Sequence, residues 1–158
     1  MSTPFELDSK HLQPLLDFIA NLNVNHPEEA KKQLDSQYPL GNELINNIKN
    51  AMQAGIEDQT LCHRGEPPVQ FSRVFKASED SADLSADAVL MTAPGPRHKH
   101  PNGEFDLCFA LEGDPTFDGQ PEGWVVYGPG SQHVPTVKNG KMMILYLLPG
   151  GAIEFVQK

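Results

Sequence analysis

The sequence predicts a mainly β protein, in which a β-barrel follows a helical N-terminal segment. Over the first 55 or so positions, apolar residues recur at spacings of three and four, which is typical of amphipathic helices. From about Thr60 onward, prolines and glycines separate short segments rich in Val, Phe and Tyr, which is typical of a barrel or sandwich. We therefore place a helical segment, packed on the barrel, at residues 1–58 and the barrel at residues 59–158.

Three helices are predicted in the N-terminal segment. The apolar face of the first consists of Leu12, Leu15, Leu16, Ile19 and Leu22. Asp8 or Ser9 is its candidate N-cap, because short polar side chains accept hydrogen bonds from the first free N–H groups. The second helix begins at Pro27, which lacks an N–H group and suits a first turn. The third begins near Asn42 and is expected to stop at Gly55.

Six strands are predicted in the second half of the chain. They span residues 69–75, 88–92, 104–111, 123–127, 142–148 and 153–156. The longest apolar run, residues 142–148, is far shorter than the roughly 20 residues that a membrane-spanning helix needs. We therefore expect no membrane partner.

Charge and cysteine content exclude some classes of function. A formal net charge of −9 argues against binding a nucleic-acid backbone, which calls for a basic surface. The two cysteines, Cys62 and Cys108, are too few for a disulfide scaffold and are expected to be reduced thiols. The start of the sequence lacks a basic stretch followed by an apolar one, so we expect no signal peptide and a cytoplasmic location.

Three of the six histidines have a spacing that indicates a metal site. His98 and His100 are separated by one residue, so both imidazoles point to one face of an extended segment. Glu104 follows four residues later, and His133 comes after a further strand and a tight turn at residues 128–130. Imidazole and carboxylate ligands together suit one divalent ion of Fe, Mn, Zn, Ni or Co.

This pattern resembles the cupin family. Its first motif is His-x-His, three or four residues, Glu and a later Gly, and its second is Gly, five residues, then Pro-x-Gly-x-x-His. For the first motif the matching residues are His98, His100 and Glu104, with Gly113 later than usual. For the second they are Gly123, Pro129, Gly130 and His133, with Pro129 one place closer to the histidine than usual. The resemblance covers roughly residues 60–158 and implies a double-stranded β-helix, or jelly-roll, barrel.

Longer strings resemble the small cupin-type 4-hydroxylaminobenzoate lyases of bacterial nitrobenzoate degradation. These strings are His100-Pro-Asn-Gly-Glu104-Phe-Asp-Leu107, Phe117-Asp-Gly119, Gly123-Trp124, Pro129-Gly-Ser131, His133-Val-Pro-Thr-Val137 and Leu145-Tyr-Leu-Leu-Pro-Gly-Gly-Ala-Ile-Glu-Phe155. The resemblance implies a metal-dependent lyase that converts 4-hydroxylaminobenzoate to 3,4-dihydroxybenzoate (protocatechuate) and ammonia. Its expected partner is therefore a small aromatic acid.

Such a reaction needs a group that moves protons within hydrogen-bond reach. Asp106 is the first candidate, because it shares strand parity with Glu104 and should also point inward. Its alternative role is that of a polar residue near the barrel mouth. Tyr127 leads into the turn before His133 and is the second catalytic candidate, with packing as its alternative role.

A benzoate substrate needs a cation for its carboxylate, and arginine suits that group well. Arg73 is the predicted substrate-binding residue, because it shares a strand face with three apolar side chains, those of Val69, Phe71 and Phe75. It would otherwise form a structural ion pair or face outward. Arg64 and Arg97 are the alternatives, and strand parity points Arg97 away from the metal.

Two other functions fit the same residues. A cupin dioxygenase acting on an aromatic acid would need Fe(II) and would consume O₂. A non-catalytic cupin would bind an aromatic ligand saturably and release no product. We also expect a homodimer, since most soluble homo-oligomers are two-fold dimers.

Overall fold

The computed structural model of the chain describes residues 5–155, and it is mainly β with three helices and antiparallel sheets, as predicted. The helices are α1 (Gln13–Ala20), α2 (Pro27–Gln37) and α3 (Glu43–Glu57). The strands are β1 (Arg64–Glu66), β2 (Val69–Phe75), β3 (Leu84–Met91), β4 (His98–His100), β5 (Glu104–Phe117), β6 (Gly123–Tyr127), β7 (Ser131–His133), β8 (Val137–Pro149) and β9 (Glu154–Phe155). No helix in the described range is both long and apolar enough to cross a membrane.

The helix starts follow local chemistry. Pro27 occupies the first turn of α2, and the Asn42 side chain accepts hydrogen bonds from the first N–H groups of α3. The prediction for α1 was partly wrong. Asp8 accepts the His11 N–H at 2.8 Å and so caps the turn before the helix, while α1 itself has Leu12 at its N-cap.

Gly55 does not end α3, which continues to Glu57. A Cβ atom at Gly55 would lie 2.6 Å from the Leu61 side chain, so the glycine permits close packing between the helix and the segment that follows it. The sequence requires a glycine at position 55 because of this close contact with Leu61, and not because the helix ends there.

The strands form two antiparallel sheets. The larger has the order β1-β2-β3-β8-β5-β6, and the smaller has the order β7-β4-β9. A cavity with residues of both sheets on its wall separates the inner face of the larger sheet from the smaller one. The small sheet therefore covers the inner face and carries two of the predicted metal-binding histidines on β4.

Several strands differ from their predicted bounds. β3 begins at Leu84, four residues before the predicted start. The prediction missed this part because both faces of the strand are largely buried, so the alternation of apolar and polar residues that marks a strand is lost. β5 continues to Phe117 through turn-like residues, with register shifts at 110–112 and 113–116. The three-residue strands β1, β4 and β7 were not predicted. Val156, at the end of the last predicted strand, lies outside the described residues.

The large sheet separates two cores. Phe105, Leu107 and Phe109 alternate along β5 toward the helices, where they join the buried side chains of all three. The other face of the same strand turns Glu104, Asp106 and Cys108 inward, beside an apolar cluster that includes Val125, Ile144 and Tyr146. One strand therefore supplies both the helix interface and the polar residues of the barrel interior.

Replacing Leu34 with alanine should lower the free energy of unfolding by about 2–5 kcal/mol, the usual cost of a cavity in a packed core. Leu34 is fully buried on α2, which packs against β6. Urea denaturation followed by circular dichroism measures this. The exposed Lys32 of the same helix offers the matched control, and Lys32→Ala should change stability by less than about 0.5 kcal/mol. Equal stability of the two variants would contradict the packing of α2 against β6.

Candidate metal centre and active site

Three strands bring the predicted metal ligands together. β4 presents His98 and His100 on one face, and the turn at residues 101–103 places Glu104 at the start of β5. His133 ends β7, which pairs with β4 so that His133 lies directly opposite His98. Ligands distant in sequence thus become neighbours through strand pairing.

The four side chains converge on one point in the barrel. The His98 Nε2 atom lies 3.0 Å from Glu104 Oε1 and 3.1 Å from His133 Nε2. The Glu104 Oε2 atom lies 3.2 Å from His133 Nε2 and 3.9 Å from His100 Nε2. Three of the four residues are buried and His133 is half-buried, so the cluster could hold a metal ion largely away from solvent.

Hydrogen bonds fix the tautomers of two of these histidines. The Nδ1–H group of His133 donates to Asp118 Oδ2 at 2.6 Å. The Ser131 hydroxyl donates its proton to the Gly128 carbonyl at 2.6 Å, so at 2.9 Å it accepts from His100 Nδ1–H. In the neutral rings, both Nε2 atoms therefore carry a free lone pair directed at the centre of the cluster.

This arrangement fits a bound cation. Ligand atoms that share one ion at roughly 2.0–2.2 Å lie about 3 Å apart, as most atoms of this cluster do. The Nε2 atoms of His98 and His133 face each other at 3.1 Å, a spacing at which both can bind the same ion. The buried Nε2 atom of His100 has no hydrogen-bond partner among the described residues, and a metal ion would satisfy it.

The electrostatics of the cluster also favour a cation. Burial opposes charge on Glu104, but the neighbouring imidazoles of His133 and His98 outweigh burial and lower the pKa of this carboxyl. Burial likewise opposes charge on His133, but Asp118 and Glu104 raise its pKa to about 9. Burial is the main cause that lowers the pKa of His100, which keeps this imidazole neutral and able to bind a metal.

Asp118 is a site residue that the sequence analysis missed. It lies in the turn after β5, where it contacts both His133 and the hydroxyl group of Tyr127. These hydrogen bonds outweigh burial and lower the pKa of the Asp118 carboxyl. The Phe117-Asp-Gly119 string was part of the family resemblance, but nothing in its spacing links it to a histidine 15 residues later.

The two predicted catalytic residues lie beside the metal cluster. Asp106 is fully buried, and neither carboxylate oxygen has a hydrogen-bond partner among the residues that the structure describes. Burial and the neighbouring Glu104 raise the pKa of Asp106 well above its usual value. The Tyr127 ring packs 4.3 Å from the His133 ring, and its hydroxyl group donates to Asp118.

A cavity of about 290 Å³ opens beside this cluster, and His98 is the cluster residue on its wall. Apolar side chains of the large sheet form one side, among them Phe71, Val89 and Met91. The cavity is just below the roughly 300–1,000 Å³ that ligand pockets span, which suits a single aromatic ring. Neither Asp106 nor Tyr127 is part of the described wall.

Two of the three candidate arginines line this cavity. Arg73 does so while its Nε–H group donates to Asp87 at 2.6 Å, so the ion pair considered in the sequence analysis is present. Arg64 lies on the neighbouring strand and forms no ion pair within residues 5–155. Arg97 is exposed and lies outside the cavity wall as described.

Both cysteines are free thiols in buried positions, as expected. Burial raises the pKa of Cys62 to about 12 and that of Cys108 well above its usual value. A thiol that stays protonated is a poor nucleophile, so neither cysteine is a catalytic candidate.

Comparisons with known proteins identify the family of the chain. The family model described as "PnbB: 4-hydroxylaminobenzoate lyase" matches residues 10–155. A 4-hydroxylaminobenzoate lyase from Nocardioides sp. (strain LMS-CY) is 28% identical over 98% of this chain and 96% of its own length. A 4-hydroxylaminobenzoate lyase from Pseudomonas putida is 36% identical over 48% of this chain and 46% of its own length.

Among solved structures, the chain is similar to an RmlC-like cupin protein from Ralstonia eutropha. The TM-score is 0.41 at 11% identity, covering 59% of this chain and 62% of that chain, and this likeness says nothing about function. The family match spans nearly the whole chain, from shortly before α1 to the end of β9. The chain therefore belongs to the PnbB family of 4-hydroxylaminobenzoate lyases, and it is an enzyme of the lyase class.

Proposed function

We propose that this enzyme is a metal-dependent lyase that converts 4-hydroxylaminobenzoate to 3,4-dihydroxybenzoate and ammonia, in nitroaromatic degradation. The observation that carries the proposal is the buried cluster of three histidines and Glu104, next to a cavity with two arginines on its wall. The names of the family and of its relatives support the choice of substrate.

The proposed reaction is redox-neutral and needs one molecule of water overall. The N–O bond of the hydroxylamine breaks and its oxygen leaves as water, while a second water adds at the neighbouring ring carbon. A third water then hydrolyses the resulting iminoquinone-like carbon–nitrogen bond and releases ammonia, so that one of the waters consumed is returned by the first step. The ring carbon loses two electrons and the nitrogen gains them, so no external oxidant is required.

His98, His100, Glu104 and His133 would hold one divalent ion in this enzyme. When bound, such an ion supplies Lewis acidity toward the hydroxylamine oxygen or a water molecule. The donor set of three imidazoles and one carboxylate suits Fe, Mn, Zn, Ni or Co. The chain's own contribution is to keep the imidazole lone pairs directed inward through the hydrogen bonds of His100 and His133.

The cavity wall offers partners for both ends of the substrate. Apolar side chains of β2 and β3 can pack against the aromatic ring, whose hydroxylamino group would face His98. Arg64 and Arg73 can bind the carboxylate at the other end. Arg64 has no ion-pair partner in the described range, whereas Asp87 already occupies the Arg73 Nε–H group, so we assign Arg64 the larger share of this binding.

Replacing Arg64 with glutamine should raise KM roughly 10- to 100-fold, because a charge-assisted hydrogen bond contributes about 1.5–3 kcal/mol. The turnover number should change little, since the carboxylate takes no part in bond breaking. Steady-state kinetics on 4-hydroxylaminobenzoate measure both constants. A smaller increase in KM is expected for Arg73→Gln.

Arg97→Gln is the matched control, because Arg97 is exposed and outside the described cavity wall. Its KM should equal that of the wild type. Phenylhydroxylamine, which lacks the carboxylate, should be used equally poorly by the wild type and by Arg64→Gln. A KM that is unchanged in both the Arg64 and the Arg73 variants would remove the carboxylate subsite from this cavity.

Asp106 is the group that we propose to accept and return protons during the reaction. It lies two residues after Glu104 on the same face of β5, and both of its carboxylate oxygens lack partners in the described part of the chain. Such a group can exchange hydrogen bonds with a water molecule or substrate that enters the metal site. The substitution Asp106→Asn tests this role, because it should leave the metal in place.

Product analysis of the purified, metal-loaded protein tests the function directly. Incubation with 4-hydroxylaminobenzoate should yield equal amounts of 3,4-dihydroxybenzoate and ammonia at the same rate with and without oxygen. Oxygen uptake in step with turnover would instead indicate a dioxygenase, and saturable binding without product would indicate a ligand-binding protein. The homodimer, the cytoplasmic location and the absence of nucleic-acid or membrane partners stay predictions from the sequence.

A further inference from the structure

We infer that Asp118 is a positioning residue of the metal centre, which holds the His133 imidazole in the tautomer and orientation that a metal ion requires. This inference rests on the proposed metal site, although it does not depend on which reaction the site catalyses. Asp118 would not touch the metal or the substrate and would act through His133.

Asp118 is anchored to the chain segment that follows His133. Its backbone N–H group donates to the Thr136 carbonyl at 2.8 Å, and its Oδ1 atom accepts the Thr136 N–H at 2.8 Å. Asp118 has a φ of 51°, a left-handed conformation that aspartate and asparagine tolerate better than most residues. Two hydrogen bonds to the Thr136 backbone and the left-handed backbone of Asp118 itself therefore set the position of the carboxylate.

The other carboxylate oxygen, Oδ2, is directed at the metal site. It accepts hydrogen bonds from His133 Nδ1–H at 2.6 Å and from the Tyr127 hydroxyl group. An ionised carboxylate only accepts, so it forces the His133 proton onto Nδ1 and leaves Nε2 free for a metal. Three donors on one largely buried carboxylate also satisfy the group, whose side chain is 15% exposed.

Tyr127 belongs to the same assembly. Its ring packs against the rings of His133 and His100, with centroid distances of 4.3 and 5.2 Å. Its hydroxyl group donates to Asp118, and Tyr127 is not among the residues of the described cavity wall. We therefore assign Tyr127 to holding the histidine rings in place, and the proton-transfer role expected from the sequence falls to Asp106.

The substitution Asp118→Asn tests this role with little change in shape. Asparagine tolerates the left-handed backbone, but its one acceptor oxygen cannot serve three donors that approach both positions. The dissociation constant for Zn²⁺, measured by competition with a chromophoric chelator, should rise roughly 10- to 100-fold. Tyr127→Phe removes one donor and keeps the His133–Asp118 hydrogen bond, so its dissociation constant should rise less than about 5-fold.

A spectroscopic measurement separates positioning from a purely structural role. In the zinc-loaded, ¹⁵N-histidine-labelled protein, the His133 Nδ1–H proton should give a strongly downfield signal that Asp118→Asn shifts or abolishes. A purely structural Asp118 would lower the melting temperature of the variant and leave both the Zn²⁺ dissociation constant and the His133 signal unchanged. That result would overturn the inference.

The outcomes also separate this inference from the proposed function. A wild-type protein that binds Zn²⁺ tightly, forms no product and loses affinity in Asp118→Asn would support the role of Asp118 and contradict the proposed reaction. Product formation by the wild type, together with equal Zn²⁺ affinity of the wild type and Asp118→Asn, would support the proposed reaction and contradict the role of Asp118. A wild-type protein that binds no divalent metal would overturn the inference, because His133 would then have no metal to be positioned for.

Discussion

Replacing His100 or His133 with alanine should remove most of the bound metal and abolish activity while the barrel stays folded. Each substitution removes one of four ligands, so the loss of affinity should exceed the roughly 10- to 100-fold that follows loss of a hydrogen-bond partner to a ligand. The barrel should survive because its apolar cluster of Val125, Ile144 and Tyr146, among others, does not include the histidines. Metal content by mass spectrometry and far-ultraviolet circular dichroism measure the two effects.

His26→Ala is the matched control for these variants. His26 is exposed at the start of α2 and its side chain forms no capping hydrogen bond there. It should keep one metal ion and full activity. A His100 or His133 variant that retains stoichiometric metal would contradict the assignment of that histidine as a ligand.

Replacing Asp106 with asparagine should reduce turnover by roughly 10²-fold or more without reducing metal content. Asparagine has nearly the same size, so the barrel interior should keep its packing. Its amide cannot accept and return a proton as a carboxyl group does, so the chemical step alone should slow. Steady-state kinetics and metal analysis of the same sample measure the two quantities together.

Cys108→Ala provides a control on the same strand face. Cys108 is buried two residues beyond Asp106, points into the barrel and has no assigned role in the reaction. This variant should lose some stability and keep its turnover number. Full activity in Asp106→Asn would remove Asp106 from the mechanism, and a simultaneous loss of metal would reassign it to supporting the metal site.

Three of the four proposed ligands could be predicted because their determinants are local in sequence. Strand parity places His98 and His100 on one face, and a short turn returns the chain to Glu104. His133 could be added only through its motif, since its place opposite His98 depends on strand pairing. The switch from helical spacing to short punctuated segments likewise predicted the order of helices and strands.

Features that depend on tertiary contacts were not predictable from the sequence. The role of Asp118 arises from a turn that packs beside His133, and no spacing rule connects the two. Gly55 carried a helix-stop signal, but the Leu61 side chain explains the glycine. The pairing of Arg73 with Asp87 likewise depends on the alignment of two strands whose registers the sequence does not state.

The most direct test of the central claim is a metal titration of the intact enzyme. The protein is stripped with a chelator, a divalent metal is added back stepwise, and bound metal and the initial rate of ammonia release from 4-hydroxylaminobenzoate are measured at each step. A metal site formed by His98, His100, Glu104 and His133 predicts no activity in the stripped protein and a rate proportional to occupancy, saturating at one ion per chain. Full activity in the metal-free protein would contradict the proposed function.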